Sequence, residues 1–284
     1  MSATTLHESA GGSVYNPAIA LEFFQSAGKP YSIAQGEKIF AEAEKGIPLL
    51  LMRQRMYLLL EGEVSVVARN KPIAVVKQGE IFGEMATINQ AARSASAVAK
   101  TPCRVIALDD KQFETALSKQ PEFALMLMSV MVNRLRDTLD RLAATKSAAK
   151  EEGWREALPL DTDLVAELEQ LLGPAACFRY DAGKIIVREG QMGTALYLVL
   201  EGRVAIQMDG TTVEKVGLGG VFGEMALVDR TPRLATAVAE TDCALLAISR
   251  HMFLKLVKKN PRFGASLLAM VSERARAMAA RCAS

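Results

Sequence analysis

The stretch FGEMALVDRTPRLATA, residues 222–237, decides the fold because it has a twin, FGEMATINQAARSASA, at residues 82–97. The twins stand 140 positions apart. The same offset carries Tyr57 to Tyr197, Gly62 to Gly202, Gly79 to Gly219, Cys103 to Cys243, Phe113 to Phe253, Pro121 to Pro261 and Arg134 to Arg274 without a gap. Register held over that length marks a tandem duplication. It breaks once, upstream: Gly36 pairs with Gly183 at an offset of 147, so copy 1 carries seven extra residues between Phe40 and Tyr57, a stretch that includes Arg53 and Arg55. The plain reading of this insertion is a lengthened hairpin loop.

Outward from the twins, each copy reads β first and helix later. KIIVREG, TALYLVLEGRVAIQM, TTVEKVGLG and ATAVAETDCALLAI in copy 2 are short β-rich runs divided by Gly, Asp-Gly and polar breaks. Asp209-Gly210 is a hairpin signal, with Asn70-Lys71 taken as its match in copy 1. Many short strands with regular turns predict a jelly roll or barrel. After Phe113 the pattern becomes helical: Leu125, Met128, Val132, Leu135, Leu139 and Leu142 alternate steps of three and four, a seam resembling a coiled coil. Leu268, Val271, Ala275 and Met278 form a shorter version in copy 2. Asp161 predicts the cap of a helix that Gly173-Pro174 stops after Leu172. The expected architecture is therefore α+β, two tandem β jelly-roll barrels with flanking helices. Its parts are a flexible arm at 1–16, a first domain at 17–145, a polar linker at 146–160 and a second domain at 161–284.

The twins also carry chemistry. In each, Gly precedes Glu-Met-Ala, and an Arg follows the Glu by nine positions: Glu84 to Arg93 and Glu224 to Arg233. A helix start beside Gly leaves backbone N–H groups that suit a phosphate. An arginine can fork onto two phosphate oxygens. A carboxylate facing that anion would repel it, so its useful partner is a hydroxyl donor such as a ribose 2′-OH. Small Ala95 and Ala235 let the backbone approach closely. A sugar and a singly charged phosphate, held in a barrel, describe a cyclic nucleotide.

The pattern F-G-E-M-A…R-x-A-[ST]-A resembles the phosphate-binding cassette of cyclic nucleotide-binding domains, such as those of protein kinase A regulatory subunits and the catabolite activator protein. Tyr57 to Gly62 and Tyr197 to Gly202 resemble the same family's strand and turn landmarks. The resemblance implies that Glu84 and Glu224 bind the ribose 2′-OH and that Arg93 and Arg233 bind the cyclic phosphate. It also implies a cradle of backbone amides from Gly83, Glu84, Met85 and Ala86, and from Gly223, Glu224, Met225 and Ala226. Residues 94–95 and 234–235 complete it. After the Arg the copies differ, Ser94 against Leu234. In the family a hydroxyl there can bond a syn guanine. Site 1 is thus expected to accept cAMP and cGMP, and site 2 to prefer cAMP. The family's ligands also need a lid. Trp154 can stack on a base or pack at a domain interface, and copy 2, running only to Ser284, is expected to have a short lid helix or one supplied by a partner.

Composition narrows the function. With 34 Lys+Arg against 32 Asp+Glu, the net charge of +2 gives no electrostatic footprint for DNA. A transcription factor is not expected, because the residues after copy 2 are few and those at 146–172 are too short and too acidic a stretch for the helix-turn-helix it would need. Two distant histidines, His7 and His251, make neither a metal cluster nor a relay, and no nucleophile–base pair or GxxxxGK loop is visible, so no enzyme activity and no cofactor are expected. The N-terminus lacks the pattern of a secretory signal, and the apolar run at 123–132 falls short of the about 18 residues of a membrane span. A cytoplasmic receptor follows, one that signals to an unknown effector protein. Cys103 and Cys243 are expected as buried apolar side chains. Three alternatives stay open. One is a cyclic di-GMP receptor using Arg53 and Arg55. Another is a scaffold with inert pockets whose charged residues make structural ion pairs. The third is a homodimer through the helix at 125–142, the same seam being equally able to pack on the second barrel.

Overall fold

The computed structural model describes residues 15–45, 54–144, 155–228 and 232–281. The first copy runs α1 (Pro17–Ala27), β1 (Lys29–Ile33), β2 (Lys38–Phe40), β3 (Arg55–Glu61), β4 (Val64–Ala68), β5 (Lys71–Val76), β6 (Ile81–Phe82), α2 (Glu84–Asn89), β7 (Ser96–Ala99), β8 (Cys103–Asp109), α3 (Asp110–Lys119) and α4 (Glu122–Ala144). The second runs β9 (Arg155–Glu156), α5 (Thr162–Leu172), β10 (Cys177–Tyr180), β11 (Ile185–Val187), β12 (Ala195–Glu201), β13 (Val204–Met208), β14 (Thr211–Val216), β15 (Val221–Phe222), β16 (Thr236–Ala239), β17 (Cys243–Ser249), α6 (Arg250–Lys259) and α7 (Pro261–Arg281).

In copy 1 the strands pair as β1-β8-β3-β6 and β2-β7-β4-β5, and in copy 2 as β10-β17-β12-β15 and β11-β16-β13-β14-β9. Apart from the short β9, each copy is a pair of four-stranded antiparallel sheets in jelly-roll order, as the strand pattern predicts. The duplication extends to irregularities. β3 bulges between Leu59 and Glu61 against β8, and β12 bulges between Val199 and Glu201 against β17. Each barrel fills with the inward faces of its strands: Leu59, Val64, Val76, Phe82, Ala97 and Val105 in the first, Val199, Val204, Val216, Phe222, Ala237 and Leu245 in the second. Cys103 and Cys243 are free and buried among them, each Sγ–H donating to nearby carbonyls.

Two local expectations need correction. The copy 1 hairpin turns on Arg69 (φ 49°) and Asn70 (φ 61°), one residue earlier than expected, matching Asp209 (φ 48°) and Gly210 (φ 77°), and Lys71 already belongs to β5. Two successive positive φ values match the strand twist of a two-residue hairpin, and Glu42 steadies the Arg69 amide at 2.9 Å. The helix after the second barrel is not short: α7 has 21 residues, against 23 in α4. The expected cap of α5 is present, with the Asp161 side chain accepting from Asp163 N at 2.9 Å and Gly173 ending the helix.

The residues fall into two compact units, one within Met1–Arg141 and Val257–Ser284, the other within Leu142–Leu256. In the first, α1, α3 and α4 meet through aromatic rings, with Phe23 stacked on Phe123 at 3.6 Å and edge-on to Phe113 at 5.8 Å. The start of α4 is buried on every side, from Phe123 to Met128, and so are Met131 and Val132. The side chains of Leu135, Leu139 and Leu142, and residues His7, Arg53 and Trp154, lie outside the described residues. α7 belongs to this first unit, where it packs on α2 and α3. In the second unit β9 lies parallel to β14.

Candidate functional site

Each cassette starts where β6 or β15 leaves its barrel. Tyr57 and Phe82 are cross-strand partners with rings 5.1 Å apart, and Tyr197 and Phe222 repeat the pair at 5.2 Å. The chain then turns through Gly83 (φ 73°) and Gly223 (φ 75°), a left-handed conformation that L side chains resist. A Cβ on Gly83 would also stand 2.9 Å from Arg93 Nη1, and one on Gly223 2.5 Å from Arg233 Nη1. Beyond the Gly, copy 1 forms helix α2, whereas copy 2 makes only a 3-10 turn over Glu224–Leu227.

The arginines are held identically. Arg93 Nη1 donates to Gly83 O and Nη2 to Arg55 O, both at 2.7 Å. Arg233 donates to Gly223 O at 2.8 Å and to Ala195 O at 2.7 Å. Their backbones are fixed as well, Arg93 N on Glu44 O at 2.9 Å and Arg233 N on Gln191 O at 2.8 Å. In both copies the third guanidinium nitrogen, Nε, is buried and its N–H has no partner among the described residues. An unmade bond at a buried charged donor is costly, and finding it at equivalent positions in two copies argues for an acceptor that arrives with a ligand.

The electrostatics agree. Burial lowers the Arg93 guanidinium below its ordinary pKa, with Tyr57, Glu44 and Glu84 favouring the charge. Burial does the same at Arg233, opposed by Tyr197 and Glu224. Glu84 and Glu224 are themselves 5% and 3% exposed. Each site thus combines a guanidinium, buried at Arg93 and half-buried at Arg233, with a buried carboxylate, which suits a ligand carrying one negative charge and a hydroxyl better than a dianion.

The other expected residues take distinct places. Ala86 and Ala95 are buried, Met85, Met225, Ala226 and Ala235 half-buried. Ser94 is exposed and Leu234 half-buried. The hydroxyl two residues further on is structural: Ser96 Oγ accepts from Glu42 N at 2.8 Å and Thr236 Oγ1 from Glu189 N at 3.1 Å. From the insertion, Arg55 lends its carbonyl to Arg93 while its guanidinium lies over the Tyr31 ring, 5.3 Å from the centroid.

Three neighbours of the arginines escape a reading of the motif. Phe40 faces the Arg93 guanidinium. Gln54 Nε2 ties Glu44 O at 3.3 Å to Ala91 O at 2.8 Å, bracing the loop that presents Arg93. Gly193 lies so close to Arg233 that a Cβ there would overlap the guanidinium. Phe40 lies upstream of the broken register, and nothing in the pattern pairs it with Arg93.

The profile of the cyclic nucleotide-binding domain matches residues 32–120 and 177–260, more than half of the chain. The chain belongs to the cyclic nucleotide-binding domain family. It is 30% identical over 187 residues to the cAMP-dependent protein kinase regulatory subunit of Schizosaccharomyces pombe, covering 65% of this chain and 40% of that one. To the cGMP-dependent protein kinase of Toxoplasma gondii it is 23% identical over 235 residues, 83% of this chain and 20% of that one. The chain therefore spans less than half the length of these curated relatives. Among solved structures, the regulatory domain of Toxoplasma gondii protein kinase A with cAMP is similar at 19% identity, with 93% of this chain and 97% of that one covered and a TM-score of 0.32. Among the described residues no group of three or more His, Cys, Asp or Glu is placed to hold a metal ion, and no helix is long and apolar enough to cross a membrane.

Proposed function

We propose that each cyclic nucleotide-binding domain of this chain binds one cyclic nucleoside monophosphate, and that the bound state is read by an effector protein. The observation that carries this reading is the paired arginine. Its guanidinium is held by two carbonyls, its buried Nε–H awaits an acceptor, and a buried glutamate lies close by, in both copies. In this reading Arg93 and Arg233 hold the cyclic phosphate, Glu84 and Glu224 accept from the ribose 2′-OH, and the amides at Gly83–Ala86 and Gly223–Ala226 complete the cradle. The exposed Ser94 hydroxyl offers site 1 a bond to guanine that Leu234 denies site 2. Site 1 then accepts cAMP and cGMP, and site 2 prefers cAMP. Ligand binding does work only through differential affinity for two conformations, so the effector must distinguish the loaded chain from the empty one. This reading takes the effector to be a protein kinase, by analogy with the names of the relatives, and sets the signalling in the cytoplasm. Catalysis forms no part of it.

The test is calorimetry of the chain against cAMP, cGMP and cyclic di-GMP, repeated with Arg93→Ala and Arg233→Ala. Each variant is expected to lose its own site, a loss of about 2–5 kcal/mol for one partner of a buried charged contact. Unchanged binding in both variants overturns the assignment. Binding of cyclic di-GMP alone replaces the ligand. Binding of none of the three favours the scaffold.

A further inference from the structure

The geometry points to α7, which the repeat assigns to copy 2, as the element that positions the cassette of copy 1, with Ser272 as the positioning residue. Ser272 is fully buried. Its Oγ accepts from Asn89 Nδ2 at 3.0 Å and lies 3.4 Å from Met85 Sδ. Met85 and Asn89 are four residues apart on α2, so one hydroxyl grips two successive turns of the same helix face. Phe263, Leu267, Leu268 and Val271 bury the rest of the α7 stripe, and Gly264 brings the helix against Val257 and Leu117.

At the offset of 140 the place of Ser272 is taken in α4 by Val132, which has no hydroxyl to make such a grip. The held cassette is also the more regular one: Glu84–Asn89 is an α-helix, whereas Glu224–Leu227 is a 3-10 turn. Glu84 begins the helix that Ser272 holds, so the direction of its carboxylate and of the neighbouring amides depends on how α7 is seated. A cavity of about 120 Å³ lies beside the grip, lined by Thr87 and Ile88 of α2 and by Ala265 and Ala269 of α7 among others.

The affinity readout of this inference rests on the nucleotide reading, whereas its exchange readout does not. In the full chain, Ser272→Val removes the acceptor at similar volume, and Ser272→Thr restores a hydroxyl. Calorimetry with cAMP in the Arg233→Ala background isolates site 1. Ser272→Val is expected to weaken that site about three- to tenfold, the span of one buried hydrogen bond, and Ser272→Thr to recover it to within about twofold. In the Arg93→Ala background, site 2 is expected to bind as in the parent. Hydrogen exchange of the amides at 84–90 is expected to quicken in Ser272→Val and not in Ser272→Thr. Site 1 affinity within twofold of the parent, or an equal loss at both sites, overturns the inference. If Ser272→Val fails to fold, Asn89→Ala removes the donor from the other side and is read the same way. If the parent binds no nucleotide, the functional reading fails by itself. Exchange at 84–90 still decides this one, faster in Ser272→Val supporting it and unchanged overturning it.

Discussion

The guanidinium carbon of Arg93 lies 4.1 Å from the centroid of the Phe40 ring. In copy 2 the position of Phe40 is Val187, on β11, and the ring facing Arg233 is Tyr197, at 6.0 Å. Phe40 also stands in an aromatic stack with Tyr57 at 5.9 Å and Phe82 at 6.2 Å that copy 2 keeps only in part. The two arginines share their carbonyl anchors but not their flanks, so the sites differ in how firmly the charge is held in place.

A desolvated cation–π contact contributes about 0.5–2 kcal/mol. Phe40→Leu is therefore expected to weaken nucleotide binding at site 1 by about two- to thirtyfold and to leave site 2 unchanged. Two-site calorimetry checks this. An equal loss at both sites would assign the effect to general destabilisation.

Gly193 gives the converse handle. Its backbone does not have a positive φ, so alanine costs little there in conformation, yet the added Cβ would overlap the Arg233 guanidinium. Gly193→Ala is expected to displace Arg233 and to lower site 2 affinity at least about tenfold, while the unfolding midpoint moves by only a few degrees. A variant with intact site 2 binding refutes the geometry.

Arg93→Lys and Arg233→Lys keep the charge and lose the fork. A lysine cannot reach two carbonyls and still present a third, fixed donor. Each substitution is expected to cost its site about 1.5–3 kcal/mol, as for a hydrogen bond to a charged group. Titration of each variant with cAMP reads the loss directly, and near-parental affinity would mean that charge alone suffices.

One pH effect follows from α3. Burial raises the Glu114 carboxyl above its ordinary pKa, Asp110 raises it further, and Arg262 and Lys111 pull it back. The folded chain thus binds this proton more tightly than the unfolded chain. Its contribution is full below the ordinary carboxylate value of 4.5 and is lost as pH rises from there through the raised value. Glu114→Gln resembles the protonated form. Its unfolding midpoint is expected to exceed the parent's at neutral pH and to match it in acid. A difference that stays constant from about pH 4 to about pH 8 excludes Glu114 as the source.

The two barrels and the two cassettes are legible in the sequence because duplication prints them twice, and because Gly, Glu and Arg at fixed spacing are side-chain signals. What holds the arginines is not legible. Their partners are the carbonyls of Gly83, Arg55, Gly223 and Ala195, and a backbone oxygen leaves no trace in a residue pattern. The hairpin of copy 1 misleads because Arg69 sits in a conformation its residue type seldom adopts. The α7 stripe announces an amphipathic helix without naming its partner, and Ser272, a polar residue inside that stripe, reads as a flaw until Asn89 is seen opposite it.

The two-residue β9 has a practical bearing on where the chain can be cut. Arg155 and Glu156 pair with Glu214 and Lys215 along the outer edge of β14, and the cover continues with Ala157 N on Lys215 O and Leu160 N on Gly219 O. The matching outer strand of copy 1, β5, pairs only with β4 among the described residues, and Pro72 within it, with Lys71 at its start, discourages the addition of a foreign strand. β14 has no proline. A fragment of the second domain that begins after Leu160 bares a β edge able to recruit another copy of itself, whereas one that begins before Arg155 keeps that edge sealed and is the safer choice for work at high concentration.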